Sequence, residues 1–126
     1  MLKTFIISSA LAIFAFAQDA NAQISQAKPV VMKLSKLAEV KTLGDLVVYR
    51  NANFDKTVCE ITDFIVYVER TGLDPAEFEV SGDNAKLTKI LKSAKKGDRL
   101  SFVQVKGLCK GDAAKRQLPD AVIEVK

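Results

Sequence analysis

The chain contains no histidine and no tryptophan, and only two cysteines, three prolines and two tyrosines. Without histidine there is no Ser-His-Asp or Cys-His constellation, and the commonest general base is missing. Two cysteines cannot close a tetrahedral zinc site by themselves. No glycine-rich loop joins a strand to a helix at phosphate-cradling spacing, so no nucleotide fingerprint is present. Ser-x-x-Lys occurs at Ser93–Lys96 and again at Ser25–Lys28, but neither Ser-Asp-Asn nor Lys-Thr-Gly accompanies it, and the motif alone does not make a penicillin-binding enzyme. Glu77 and Glu79 lie two apart with nothing to enclose them. The turn Ser81-Gly82-Asp83-Asn84 is too short for a calcium loop. The reading is of a chain that is not an enzyme, holds no metal and uses no cofactor.

Long apolar runs are also absent, except at the start. Lys3 is followed by an apolar stretch from Phe5 to Phe16, interrupted by Ser8 and Ser9, and then by Ala20-Asn21-Ala22. A basic residue, a short apolar core and a small-x-small site describe a secretory signal peptide, with cleavage expected after Ala22. The run is too short for a membrane-spanning helix, which needs roughly 20 apolar residues. The expected organisation is a signal peptide at 1–22, a flexible leader at 23–28 and a single domain at 29–126, located in the periplasm or secreted, with no transmembrane segment in the mature chain.

The formal charge is +4, and it stays so after export because Lys3 and Asp19 leave together. The excess is mild and spread along the chain. A nucleic-acid partner would call for a dense basic patch interleaved with stacking aromatics, so none is expected. Export permits a disulfide, and Cys59 and Cys109 allow one intrachain pairing. Spacing alone does not establish that they meet.

Strand signals occur at Val30–Leu34, Leu46–Tyr49, Thr57–Arg70, Leu100–Lys106 and Ala121–Val125. The longest, Thr57–Arg70, is rich in β-branched and aromatic residues. Leu73-Asp74-Pro75-Ala76-Glu77 resembles a capped helical turn, and Phe78–Val80 a short extended piece. One amphipathic helix is predicted from about Ala85 to Lys96. Leu87, Ile90, Leu91 and Ala94 form its apolar stripe and Gly97 stops it. The fold class predicted is mainly β: an antiparallel, immunoglobulin-like β-sandwich of about five to seven strands with this helix packed on it.

Lys86, Lys89, Lys92 and Lys96 take the other face of the helix and form the candidate partner-binding surface, suited to an acidic protein. Exposed strand edges are a second candidate, since an open edge invites pairing with another chain. The segment from Gly107 to Pro119 is a candidate inhibitory loop, and a self-associating structural module is a further alternative.

From Asn51 onward the order of motifs resembles a known family. A loop with Asn53-Phe54-Asp55 precedes the strand around Ile61–Val68 and Ser81-Gly82. The helix then runs into Ala94-Lys95-Lys96-Gly97-Asp98, with Leu100 and Phe102 following. Gly107, Gly111-Asp112, Arg116 and Leu118-Pro119 lead to a closing apolar strand. This resembles the C-terminal periplasmic domain of the gliding-motility and type IX secretion protein GldM. The resemblance implies an immunoglobulin-like module that works by contact with other proteins of the cell envelope. Three features depart from the family: a signal peptide in place of a transmembrane helix, the lack of the preceding domains, and the two cysteines. The contact role is therefore the part implied, and the motor role is not.

Overall fold

A computed structural model describes residues 24–46, 48–49, 54, 57–82 and 84–126. Residues 1–22, read from sequence as a signal peptide, lie outside the described residues. Among the described residues there are six strands: β1 (Pro29–Met32), β2 (Cys59–Glu69), β3 (Ala76–Ser81), β4 (Arg99–Cys109), β5 (Arg116–Gln117) and β6 (Ala121–Val125). Two α-helices have their full bounds among the described residues, α1 (Leu34–Leu37) and α2 (Asn84–Lys92), with a 3-10 turn at Leu43–Asp45.

The fold is mainly β, as expected, but all six strands belong to one sheet, in the order β1-β6-β4-β2-β3, with β5 alongside the far end of β4. The sheet is mixed: β1 runs parallel to β6, and every other pairing is antiparallel. The layer that covers the sheet is made of helices and loops instead of a second sheet. Part of the reason lies at Leu46–Tyr49, read from sequence as a strand. Thr42 and Asp45 form a reciprocal capping box around the 3-10 turn, which satisfies backbone donors locally; Leu46 closes that turn in an extended conformation, and Val48 and Tyr49 are helical. Val47 lies outside the described residues.

Leu37, Leu43, Leu46, Tyr49 and Phe54 from this irregular segment join Leu87, Ile90 and Leu91 of α2 in the core. They pack on the sheet face that carries Phe64, Val66, Leu100, Phe102, Ala121 and Ile123. The register explains that face. Val66 pairs with Phe102 and Phe102 with Ala121, so the three form one cross-strand row. Phe64 and Phe102 meet edge to face at 5.7 Å, a favoured aromatic geometry. The opposite face carries the polar row Glu69, Arg99 and Glu124, where Arg99 pairs with Glu124 at 2.9 Å and with Glu69 at 3.8 Å.

Two further expectations are corrected. The predicted helical turn at Leu73–Glu77 is instead a hairpin: Gly72 takes φ +83°, the chain reverses, and Ala76–Ser81 pairs with β2. A glycine free to adopt positive φ outweighs the capping pattern here. The helix predicted to reach Lys96 ends at Lys92. Ser93 Oγ donates to the carbonyls of Lys89 and Ile90, Arg70 donates to the Ser93 carbonyl, and Gly97 turns the chain at φ +93°.

Candidate binding surface

The cysteines are bonded: Cys59 and Cys109 form a disulfide across β2 and β4. The two residues face each other in the register. Next to them Lys110 N–H donates to the Val58 carbonyl at 2.7 Å. Cys59 and Cys109 therefore occupy a non-hydrogen-bonded position of the ladder, where opposed side chains approach most closely. This bond fits an oxidising, exported compartment.

The segment from Gly107 to Pro119 folds back on β4. Asp112 accepts from the Cys109 amide at 3.0 Å and pairs with Arg116. Arg116 and Gln117 add to β4 as β5. At the same end of the sheet the β2–β4 register is irregular between Ile61 and Ile65, with Gln104 at φ +51°. The irregularity brings Asp63 within reach of three donors: Ser81 Oγ at 2.9 Å, Thr62 Oγ1 at 2.8 Å and Lys115 Nζ at 2.6 Å. The Lys115 hydrogen bond, helped by those from Thr62 and Ser81, lowers the Asp63 pKa to about 2. Such a carboxylate is a poor proton acceptor, which sets it apart from a general base tuned near neutral pH.

The four lysines named from sequence are only partly brought together. Lys86 and Lys89 border a shallow groove floored by Phe78, Ala85 and Ile90. Lys92 is exposed at the end of α2, and Lys96 lies beyond the helix in the turn that follows. Lys86 has a partner that sequence does not reveal. Its Nζ donates to the Glu79 carbonyl on β3.

That contact matters because β3 and β1 end the strand order of the sheet, with the two-residue β5 a further short edge alongside β4. Gly82 N–H donates to the Thr62 carbonyl, so by antiparallel alternation Ala76, Phe78 and Val80 turn their backbone groups to β2, while Glu77 and Glu79 turn theirs outward. Lys86 thus occupies an outward carbonyl in the middle of this edge, and two acidic side chains flank it. Lysines and other charges are common guards of open edges.

Among the described residues no side chain donates to an outward carbonyl of β1 in the way Lys86 does on β3, although Lys28 and Lys33 flank the strand. Lys126 N–H donates to the Met32 carbonyl at 2.8 Å and Leu34 N–H to the Lys126 carbonyl at 3.0 Å. Met32 therefore faces β6, and Val31 presents its N–H and C=O to the outside. Pro29 shares that outward parity, so its missing N–H costs no ladder bond, as is usual for edge-strand proline. Val31 is 53% exposed and Val30 39%. Beside this edge opens a cleft of about 410 Å3, walled by Val30, Met32, Val40, Leu46, Val48 and Ile123. Asp45 and Asp120 also line it. Asp45 accepts from the Lys41 and Thr42 amides, and Asp120 accepts from Ser25 Oγ at 2.9 Å. Ser25, within the stretch read as a leader, is 3% exposed. Sequence reasoning noted edges in general but missed this one; the signal was a proline opening a short run of Val and Met between Lys28 and Lys33.

No family model matches the chain, and no curated protein matches it. Among the described residues no group of histidine, cysteine, aspartate or glutamate is arranged to hold a metal ion, and no helix is long and apolar enough to cross a membrane.

Proposed function

We propose that this is an exported, non-catalytic binding module that accepts an extended segment of a partner protein as an added strand along β1. The observation that carries the reading is the asymmetry of the two sheet edges. β3 is closed by Lys86 and flanked by Glu77 and Glu79. β1 is open at Val31 and lies beside an apolar cleft. Strand addition draws affinity from main-chain hydrogen bonds and specificity from pockets that take alternate side chains, and β1 with its cleft supplies both. The sequence resemblance to the GldM C-terminal domain supports a partner in the cell envelope, and the complete lack of histidine supports contact over catalysis.

Site-specific photocrosslinking in living cells tests the proposal. A crosslinking residue at Val31 is expected to trap one defined envelope protein, identified by mass spectrometry, while the same residue at Glu77 on β3 traps none. Type IX secretion or gliding components in the Val31 adduct would support the family contact role. Equal adducts from both edges, or none from Val31, would overturn the assignment of the surface.

A further inference from the structure

The outward side of β1 continues past Val31. Lys33 follows the strand and is still extended, at φ −71° and ψ 150°. By the same alternation its N–H turns outward with that of Val31. Its carbonyl is already occupied: it accepts from the Lys36 and Leu37 amides, each at 3.0 Å, where α1 begins. Pro29 has the reverse pattern, an outward carbonyl and no N–H. The edge therefore presents two donors, the N–H groups of Val31 and Lys33, and two acceptors, the carbonyls of Pro29 and Val31.

We infer that a second copy of this chain is the resting occupant of the edge, β1 against β1 in a two-fold symmetric dimer. The inference rests on the edge-pairing reading above and adds what closes the edge when no partner strand is present. Antiparallel pairing about an axis at Val31 sets Val31 opposite Val31, Pro29 opposite Lys33 and Val30 opposite Met32. The two valines exchange both of their hydrogen bonds, and each Lys33 N–H meets the Pro29 carbonyl of the second copy. Where the proline has no N–H to give, it faces the Lys33 carbonyl that α1 has already satisfied. Every outward donor finds an acceptor, and no carbonyl is left over. Neighbouring registers do worse. An axis at Val30 sets the Val31 carbonyl against the proline, and an axis at Met32 sets the Val31 N–H against the occupied Lys33 carbonyl. In the favoured register no lysine faces a lysine, since Lys33 meets Pro29 and Lys28 meets Leu34. Val30 and Met32, which wall the cleft, pair across the seam as apolar neighbours. A contact of this kind closes on itself as a dimer. It uses the same peptide groups that a partner strand would take, so the two occupants exclude each other.

The test uses protein recovered after export from cells expressing the complete chain, studied by analytical ultracentrifugation over a concentration series. The wild type is expected to pass from monomer to dimer as concentration rises. Val31→Pro and Lys33→Pro each remove two hydrogen bonds from the dimer and are expected to weaken it about tenfold or more. Proline suits both positions: the Val31 N–H points away from β6, and Lys33 already has φ −71°. Circular dichroism checks that each variant keeps the fold, and Lys33→Pro, outside the strand, keeps the test decisive should Val31→Pro not fold. Lys33→Ala loses the charge but keeps the N–H, and is expected to leave the dimer within about twofold of the wild type. A photocrosslinking residue at Val31 of the purified protein is expected to attach to residues 29–33 of the second copy. Monomer at every concentration, a dimer that a folded proline variant leaves intact, or adducts that map elsewhere would overturn the inference. None of these would touch the edge reading, which stands or falls on whether Val31 traps an envelope protein in cells.

Discussion

Arg70 grips Asp98 with two parallel hydrogen bonds, Nε to Oδ1 at 2.9 Å and Nη2 to Oδ2 at 3.0 Å. Asp98 is 1% exposed, and its carboxylate also accepts from the Lys95 amide at 2.8 Å. Its own backbone carbonyl accepts from Val125. The pair therefore ties the β2–β3 hairpin, the end of α2 and β6 to one buried carboxylate. Removing the cation leaves that charge buried without its main partner, the costly half of a buried ion pair. Arg70→Ala is expected to destabilise by about 3 kcal/mol, measured by urea denaturation. A loss below about 0.5 kcal/mol would place the pair among the weak surface contacts.

The disulfide closes a sequence separation of 50 residues. On the chain-entropy model, losing such a closure costs about 4 kcal/mol, through a freer unfolded state. Cys59→Ala with Cys109→Ala is expected to lower the urea midpoint accordingly while β2 and β4 remain paired, because their ladder runs from Cys59 to Glu69. An unchanged midpoint would show that the bond does no thermodynamic work.

Tyr49 is fully buried, and its hydroxyl has no hydrogen-bond partner among the described residues. Burial, reinforced by the negative charge of Asp120, pushes its pKa upward. An unsatisfied buried hydroxyl costs about 1–3 kcal/mol, so Tyr49→Phe is expected to stabilise by about 1 kcal/mol in thermal unfolding. The folded pKa is raised, so the tyrosine's contribution is intact below pH about 10, the ordinary tyrosine value. It falls as pH rises above that point, where the unfolded chain ionises first. The phenylalanine variant is expected to lose less stability over that alkaline range, and a parallel decline in both proteins would contradict the assignment.

Asp63 is expected to titrate near pH 2 by NMR, and in Lys115→Ala to move up towards the ordinary carboxylate range, since the Lys115 hydrogen bond is the largest cause of the shift. With the folded pKa lowered, Asp63 supports the fold above pH about 4, the ordinary carboxylate value. That support is lost as pH falls towards 2. A titration unmoved by the substitution would show that Thr62 and Ser81 hold the carboxylate without the lysine.

Gly107 lies where a Cβ would stand 3.0 Å from Leu118, 3.1 Å from the Phe54 ring and 3.2 Å from the Glu60 carbonyl. Gly107→Ala is therefore expected to cost about 1–3 kcal/mol, the usual penalty for overpacking, in the same denaturation assay. A neutral result would mean that Leu118 and Phe54 yield without strain.

The elements that were legible in the sequence are those whose signal is local. Ala121–Val125 is a strand with the bounds expected. Thr57–Arg70 shortens to Cys59–Glu69, and the stripe of Leu87, Ile90 and Leu91 packs inward as its spacing requires. The errors fall where tertiary contacts decide. Asp74-Pro75 has the chemistry of a helix start, yet the hairpin recruits the next residues into β3. Leu46–Tyr49 has strand composition, yet Leu46 closes a 3-10 turn, Val48 and Tyr49 are helical, and Leu46 and Tyr49 are buried in the core. The Ala94–Asp98 block that carried the family resemblance owes its form here to packing, since Gly97 supplies a positive φ and Asp98 is buried under Arg70. The open edge was hardest to see, because which strands lie outermost depends on β1 meeting β6, a parallel contact between the two ends of the described chain.

That contact also sets a timing. β1 is among the first described segments, but among the described residues its only neighbour in the sheet is β6, made almost a full chain length later. Among the described residues β1 has no sheet partner until β6 is present to seat it. The β1 edge thus depends on the last described strand, and under the strand-addition proposal chains cut short before Ala121 would lack the edge that receives a partner.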